Sequence, residues 1–286
     1  MFVTLGEQRI FFDVVGEKLA IDGPRMREKP TLLVLHGGPG FDHSVMRPAF
    51  DAFSDIAQVV YVDHRGNGRS VPSDPATWTL AQWGDDIRAL CDALGIEKPI
   101  VFGQSFGGTV AQAYVTRHPA HPRAVILSST AARMDFAASF DLFEAKGGAE
   151  ARAVAEAFWA AGSDESTTSY MRLCMPLYNT TSHGGNEPLQ RAITRFEVYR
   201  HFSLPGRELH TMDFRDSLRR IACPALVLGG MEDPITPPHL AREIAGLIDE
   251  SLVTLRLIEN AGHGPFRDDP SVYGVIREFI VGLKAT

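Results

Sequence analysis

The chain reads as an α/β protein, with a mostly parallel central sheet, helices on both faces and an inserted helical cap. Two observations predict the sheet. Short apolar runs such as Thr31–Leu35, Val59–Val62 and Ala124–Ser128 lack polar alternation, which is how a strand buried on both faces reads. Between them lie stretches of helical periodicity, and strands alternating with helices imply parallel pairing through crossover helices. A third observation predicts the cap. From Ala131 to about Arg215 the sequence is helical and Ala/Glu/Arg-rich, and none of its runs resembles a central strand. The predicted organisation is a core formed by residues 1–130 and 216–286, with residues 131–215 as the cap.

The elements follow in order. Phe2–Val15 reads as two short strands about Gly6-Glu7, and the polar, proline-bearing stretch Glu17–Pro30 as a loop. Thr31–Leu35 is a buried strand that ends in His36-Gly37-Gly38-Pro39-Gly40. Val59–Val62 is another, closed by the turn Asp63–Ser70, whose Arg65 is expected to tie neighbouring loops together. Trp78–Leu94 is amphipathic, with Leu80, Trp83, Ile87, Leu90 and Leu94 on one face. Pro99–Phe102 leads into Gly103-Gln104-Ser105-Phe106-Gly107 and a helix through Arg117, and Ala124–Ser128 is the next strand. In the cap, Gly147-Gly148, Ser182–Pro188 and Pro205-Gly206 interrupt the helices. Alternation then resumes with strand Ala225–Leu228, helix His239–Ile248, strand Val253–Ile258, a loop holding Gly262-His263-Gly264, and helix Ser271–Leu283.

Composition narrows the function classes. The chain has 286 residues, enough for a large core, with 44% hydrophobic and 22% charged residues, as in an ordinary globular enzyme. A net charge of -7 without a basic cluster argues against a nucleic-acid partner. Cys91, Cys174 and Cys223 are widely spaced and odd in number, so neither a disulfide framework nor a zinc site follows. With no signal-peptide pattern and no membrane-spanning run, the expected location is cytoplasmic, with no membrane partner. Oligomeric state is not legible. No two histidines sit at i, i+4 with an intervening acid, His118 and His121 flank prolines at a helix end, and no G-x-G-x-x-G follows a first strand, so neither a metal nor a dinucleotide cofactor is expected.

The chemistry centres on Gly103–Gly107, a G-x-S-x-G pattern at a strand-to-helix turn. Such a turn strains the serine backbone, needs glycines at its flanks, and lifts the Ser105 hydroxyl toward a helix N-terminus. By itself the pattern could be a glycine-rich turn with a bystander serine. A serine nucleophile also needs a base, an acid and an oxyanion hole. His263 is the candidate base, because its flanking glycines allow close approach. Asp233 is the candidate acid, after the strand Ala225–Leu228 and in the rigid turn Asp-Pro-x-Thr-Pro, with Glu232 as its rival. For the oxyanion, Phe106 supplies one backbone N–H and Gly37 or Gly38 the other, since Pro39 has none.

The order Ser, Asp, His, with the His36–Gly40 loop and the Asp63–Ser70 turn, resembles the α/β-hydrolase superfamily over nearly the whole chain. More narrowly, the chain resembles the proline iminopeptidase group of serine aminopeptidases. That resemblance implies release of an N-terminal residue, often proline, from a small-molecule or short-peptide substrate through an acyl-enzyme, without metal or cofactor. It also implies carboxylates around the cap that hold the free amine. Glu197, in Arg195–Tyr199, is the candidate, Glu232 a second, and Tyr199 a further substrate contact. The chain departs from the group's pattern at Phe106, where many members carry tryptophan, and at Pro234, where some carry a second glutamate. Cap aromatics such as Phe136, Phe143, Phe158, Trp159 and Phe202 supply packing surface, and a few are expected to wall the pocket. The alternative reading is a carboxylesterase or lactonase with the same triad. A third is a non-hydrolytic receptor or cofactor-free oxygenase on this scaffold.

Overall fold

The computed structural model describes residues 1–181 and 187–283. Strands β1 (Phe2–Leu5) and β2 (Gln8–Val15) form the opening hairpin. The stretch read from sequence as a loop instead contains β3 (Leu19–Asp22) and β4 (Arg25–Glu28), paired as a separate antiparallel ribbon. This ribbon is mostly exposed, with Ile21 83% accessible, so it carries none of the burial pattern by which a core strand is read.

The main sheet continues through β5 (Thr31–Leu35), β6 (Gln58–Val62), β7 (Ile100–Gln104), β8 (Ala124–Ser128), β9 (Ala225–Gly230) and β10 (Val253–Ile258). Its order is β1-β2-β6-β5-β7-β8-β9-β10, antiparallel at β1/β2 and β2/β6 and parallel from β6 to β10. The chain leaves β5 toward β6 on one side and returns to β7 on the other. That reversal opens a crevice beyond the carboxyl ends of β5 and β7, the usual ligand position in an open α/β sheet.

Successive residues of each central strand point to opposite faces. Leu33, Val101, Leu127 and Val227 join one core layer, whereas Leu32, Phe102, Ile126 and Leu228 join the other. The first layer is covered by α1 (Leu80–Leu94), α2 (Phe106–Arg117) and, later in the chain, Pro238–Leu247. Thr79 caps α1 by accepting the Gln82 N–H at 3.1 Å, and Gly95 ends it in a left-handed conformation.

Between β8 and β9 the described residues contain helices and no strand. These are α3 (Phe136–Ala161), α4 (Asp164–Leu173), α5 (Glu187–Arg191), α6 (Phe196–Ser203), α7 (Glu208–Thr211) and α8 (Arg215–Leu218). Gly148 breaks α3 at φ 77°, and Pro205-Gly206 separates α6 from α7. Of the third interruption, Ser182–Pro188, residues 182–186 lie outside the described residues. The chain closes with α9 (Pro238–Leu247), α10 (Pro265–Asp268) and α11 (Ser271–Gly282). Val272, Ile276 and Ile280, one turn apart on α11, pack on the second face. The three cysteines are buried and free, and burial pushes the Cys91 thiol up to about 12. Among the described residues no helix is long and apolar enough to cross a membrane.

Candidate active site

Ser105 stands between the last residue of β7 and the first of α2, at φ 55° and ψ -120°. A non-glycine residue is held there only by its surroundings. Here the surroundings are tight. A Cβ on Gly107 would lie 2.2 Å from the Leu35 carbonyl oxygen, and one on Gly103 would lie 2.3 Å from the Gly107 oxygen. The Ser105 N–H donates to the Ser128 carbonyl at 2.9 Å, while its side chain makes no capping bond to α2. The hydroxyl is therefore available to other partners.

Its partner is His263, whose Nε2 lies 2.9 Å from Ser105 Oγ. His263 Nδ1 lies 3.0 and 2.9 Å from the two oxygens of Asp233. A carboxylate only accepts, so Nδ1 carries the proton and neutral Nε2 accepts from the serine hydroxyl. Asp233 is fully buried, and its charge is met by the N–H groups of Ile235 at 2.8 Å and Thr236 at 3.0 Å and by the Thr236 hydroxyl at 2.7 Å. The structure thus brings Ser105, His263 and Asp233 into one hydrogen-bonded line. Glu232, the rival acid, is exposed and pairs with Lys146 at 2.9 Å, because the turn that buries Asp233 points its neighbour outward.

The histidine loop is fastened at several points. The His263 N–H donates to the Tyr178 carbonyl at 2.6 Å, and the His263 carbonyl accepts from Gln104 Nε2 at 2.5 Å. The Gly264 N–H donates to Asn179 Oδ1 at 3.0 Å. Nothing in the sequence marks Gln104 or the 178–181 segment as a support of the site. Only Thr236 left a signal, in the Asp-Pro-x-Thr-Pro turn.

The His36–Gly40 loop passes over Ser105, and a Cβ on Gly37 would sit 3.3 Å from Ser105 Cβ. His36 Nε2 accepts the His64 N–H at 3.3 Å, so its Nδ1–H donates to the Gly37 carbonyl at 2.7 Å. In a planar trans peptide the N–H points opposite to the C=O, so this bond also orients the Gly38 N–H. Phe106 opens α2, where the first N–H groups have no partner within the helix. Nearby, Arg65 donates to both Asp86 oxygens at 2.7 and 2.6 Å, tying the Asp63–Ser70 turn to α1.

Ser105 opens into a cavity of 520 Å³ lined by Gly37, Gly38, Phe106 and His263, and by side chains of the segment between β8 and β9. Phe158, Trp159, Tyr170, Tyr178, Phe196 and Tyr199 are the aromatics of that segment that wall it, with Met134, Met171 and Met175 as adaptable apolar neighbours. Tyr199 stacks on Phe158 at 4.5 Å, and burial pushes its phenol up. Glu197 is not in the cavity. The buried side of α6 runs through Val198, Tyr199 and Phe202, which turns Glu197 to the exposed side. The expected amine contacts Glu197 and Glu232 therefore both fall outside the site. None of the described lining residues is Asp or Glu. Among the described residues no cluster of three or more His, Cys, Asp or Glu could hold a metal ion.

Residues 30–270 match the family model for the α/β hydrolase fold. The chain is 30% identical over 273 residues to the proline iminopeptidase PfmaB of Pestalotiopsis fici, covering 88% of this chain and 92% of the relative. It superposes on the proline iminopeptidase of Mycobacterium smegmatis with a TM-score of 0.80 at 23% identity, covering 99% and 97% of the two chains. It also superposes on a thermophilic esterase of Thermogutta terrifontis with a TM-score of 0.68 at 27% identity, covering 99% and 97%. Fold and relatives alike are those of a hydrolase, and the chain belongs to the α/β-hydrolase family, where it is proline iminopeptidase-like.

Proposed function

We propose that the protein is a serine hydrolase that works through an acyl-enzyme, with a prolyl-aminopeptidase-like activity on small peptides or amino-acid amides. The observation that carries the reading is the line from Asp233 through His263 to Ser105, with contacts of 2.9 Å on either side of the imidazole. Ser105 Oγ attacks the scissile carbonyl as its proton passes to His263 Nε2, and buried Asp233 stabilises the imidazolium. The oxyanion accepts from the N–H groups of Phe106 and Gly38. Collapse of the intermediate breaks the bond to the leaving group, which takes the proton from His263. Water then attacks the acyl-enzyme by the same route and frees Ser105.

The iminopeptidase relatives support the aminopeptidase reading. A specific observation favours a second reading, carboxylesterase or lactonase: no described lining residue offers a carboxylate to a free α-ammonium group. Prolyl- and alanyl-p-nitroanilide, short p-nitrophenyl esters and an acyl-homoserine lactone, assayed side by side, separate the two. Anilide turnover supports the first, and ester or lactone turnover without anilide turnover supports the second. In either case Ser105→Ala is expected to abolish turnover, and Asp233→Asn to lower kcat by about 10⁴ with folding retained. Full activity of Ser105→Ala overturns the mechanism.

A further inference from the structure

The cavity beside Ser105 carries a positive charge with no acidic counterpart. Arg267 lines it, four residues after His263 on α10. Its Nη2 donates to the Val45 carbonyl at 2.7 Å, and no carboxylate lies within ion-pairing distance of it among the described residues. Nε and Nη1 make no hydrogen bond among the described residues and are not sealed from open space. The adjacent Asp268 is already committed. Its oxygens accept the N–H groups of Gly262, Thr180 and Thr181 and the Thr181 hydroxyl. Arg191, whose guanidinium binds the carbonyls of Ser44 and Arg47, adds to the positive field. Burial pulls the Arg267 pKa below its ordinary value, and the nearby charges of Tyr273 and Asp268 do not offset it. Ser182–Asn186, outside the described residues, contain no Asp or Glu that could supply one.

We propose that Arg267 is an anion-recognising residue, and that the preferred substrate is an ester, lactone or amide bearing a carboxylate. The inference rests on the reading of this cavity as the substrate site of a hydrolase, and of the two readings above it sides with the esterase or lactonase over the aminopeptidase. A guanidinium presents a planar fork of N–H donors that matches a carboxylate and holds its charge at any working pH. An ammonium in the same cavity would meet a like charge and no counter-ion, a costly arrangement for a desolvated cation. Arg267 thereby separates acyl donors by charge, whatever leaving group Ser105 displaces.

The test uses three p-nitrophenyl esters of similar length: the adipate monoester, the hexanoate and the 6-aminohexanoate. Arg267→Met is expected to lower the adipate-to-hexanoate ratio of kcat/KM by about tenfold, and Arg267→Lys to keep most of it. Should Arg267→Met fail to fold, Arg267→Gln, which can still donate to the Val45 carbonyl, carries the same expectation. An unchanged ratio, an equal loss on all three esters, or preference for the 6-aminohexanoate ester overturns the proposal. Adipate titrated into Ser105→Ala, followed by calorimetry, reads the site without turnover. Adipate binding that weakens about tenfold with Arg267→Met, in a protein that hydrolyses nothing, sustains the anion site and overturns the hydrolase reading. Ser105-dependent turnover with charge selectivity indifferent to Arg267 does the reverse.

Discussion

The backbone N–H of His263 donates to the carbonyl of Tyr178 at 2.6 Å, joining the histidine loop to the segment that follows α4. A Cβ on Gly262 would lie 2.0 Å from the same Tyr178 oxygen, so only glycine lets the two backbones meet. Asp268 completes the junction. It is buried, and it accepts the Gly262 N–H at 2.8 Å together with the Thr180 and Thr181 N–H groups at 3.0 and 3.1 Å.

On the proposed mechanism Asp268 is a positioning residue. Asp268→Ala leaves the buried Gly262 N–H and the part-buried donors of Thr180 and Thr181 unmet, and is expected to lower unfolding free energy by about 2 kcal/mol. It should lower kcat by about tenfold or more with a smaller change in KM, because the displaced group is His263 rather than the apolar cavity wall. Asp268→Asn, which keeps an acceptor oxygen, should recover part of both losses. Denaturant midpoints and the kcat/KM split check this. An unchanged kcat in folded Asp268→Ala would separate the junction from the chemistry.

Two glycines should respond to alanine with opposite signs. In Gly107→Ala the new Cβ meets the backbone oxygens of Leu35 and His36 at 2.2 and 2.6 Å, and neither can yield without moving β5 or the His36–Gly40 loop. A loss of about 3 kcal/mol or more, or no folded protein, is expected. Gly274 lies inside α11, exposed, with nothing within 4 Å of its Cβ position. Gly274→Ala should therefore raise stability by about 0.5–1 kcal/mol through helix propensity. Chemical denaturation of both variants decides the point.

The His36–His64 pair sets a pH dependence of stability. Both rings are buried 4.4 Å apart, and His64 stacks on Trp83 with its Nε2 unpartnered. Burial lowers both pKa values below the ordinary one; the His36 ring further disfavours charge on His64, as His43 does on His36. Well above about pH 6.5 both are neutral, folded or unfolded, and their contribution is fully present. As pH falls below that value the unfolded chain takes up protons that the folded chain refuses, so stability is lost. His64→Phe keeps a ring against Trp83 and removes one titrating site. Its stability should fall less steeply than wild type between about pH 7.5 and about pH 5.5, by up to about one proton. Equal slopes would show that His64 does not set the dependence.

What could be read from the chain follows from how local each requirement is. The buried strands are legible because a strand covered on both faces is apolar in consecutive residues, as in Leu32–Leu35. The β3–β4 ribbon escaped because its exposed strands need no such pattern. Ser105 is marked by glycines within two residues of it, since the sharp turn imposes its steric demands there. Asp233 and His263 are marked by their places after successive strands, and the sheet topology itself carries those strand ends to one side.

The cavity wall is a different matter. Glu197 and Tyr199 are two residues apart on α6, yet Tyr199 lines the cavity and Glu197 faces outward. Which side turns inward depends on the packing of Val198, Tyr199 and Phe202 against residues distant in the chain, such as Phe158 and Trp83. Arg267 and Asp268 lie side by side after His263, but their roles are set by Val45, some 222 positions away, and by Thr180 and Thr181, 88 and 87 positions away. The amino-acid sequence by itself determined the strand–helix alternation, the strained serine and the order of its partners, because short-range sterics and burial dictate them. The tertiary structure alone decided which charges line the cavity, because the sign of a cavity is a property of the surfaces that meet there.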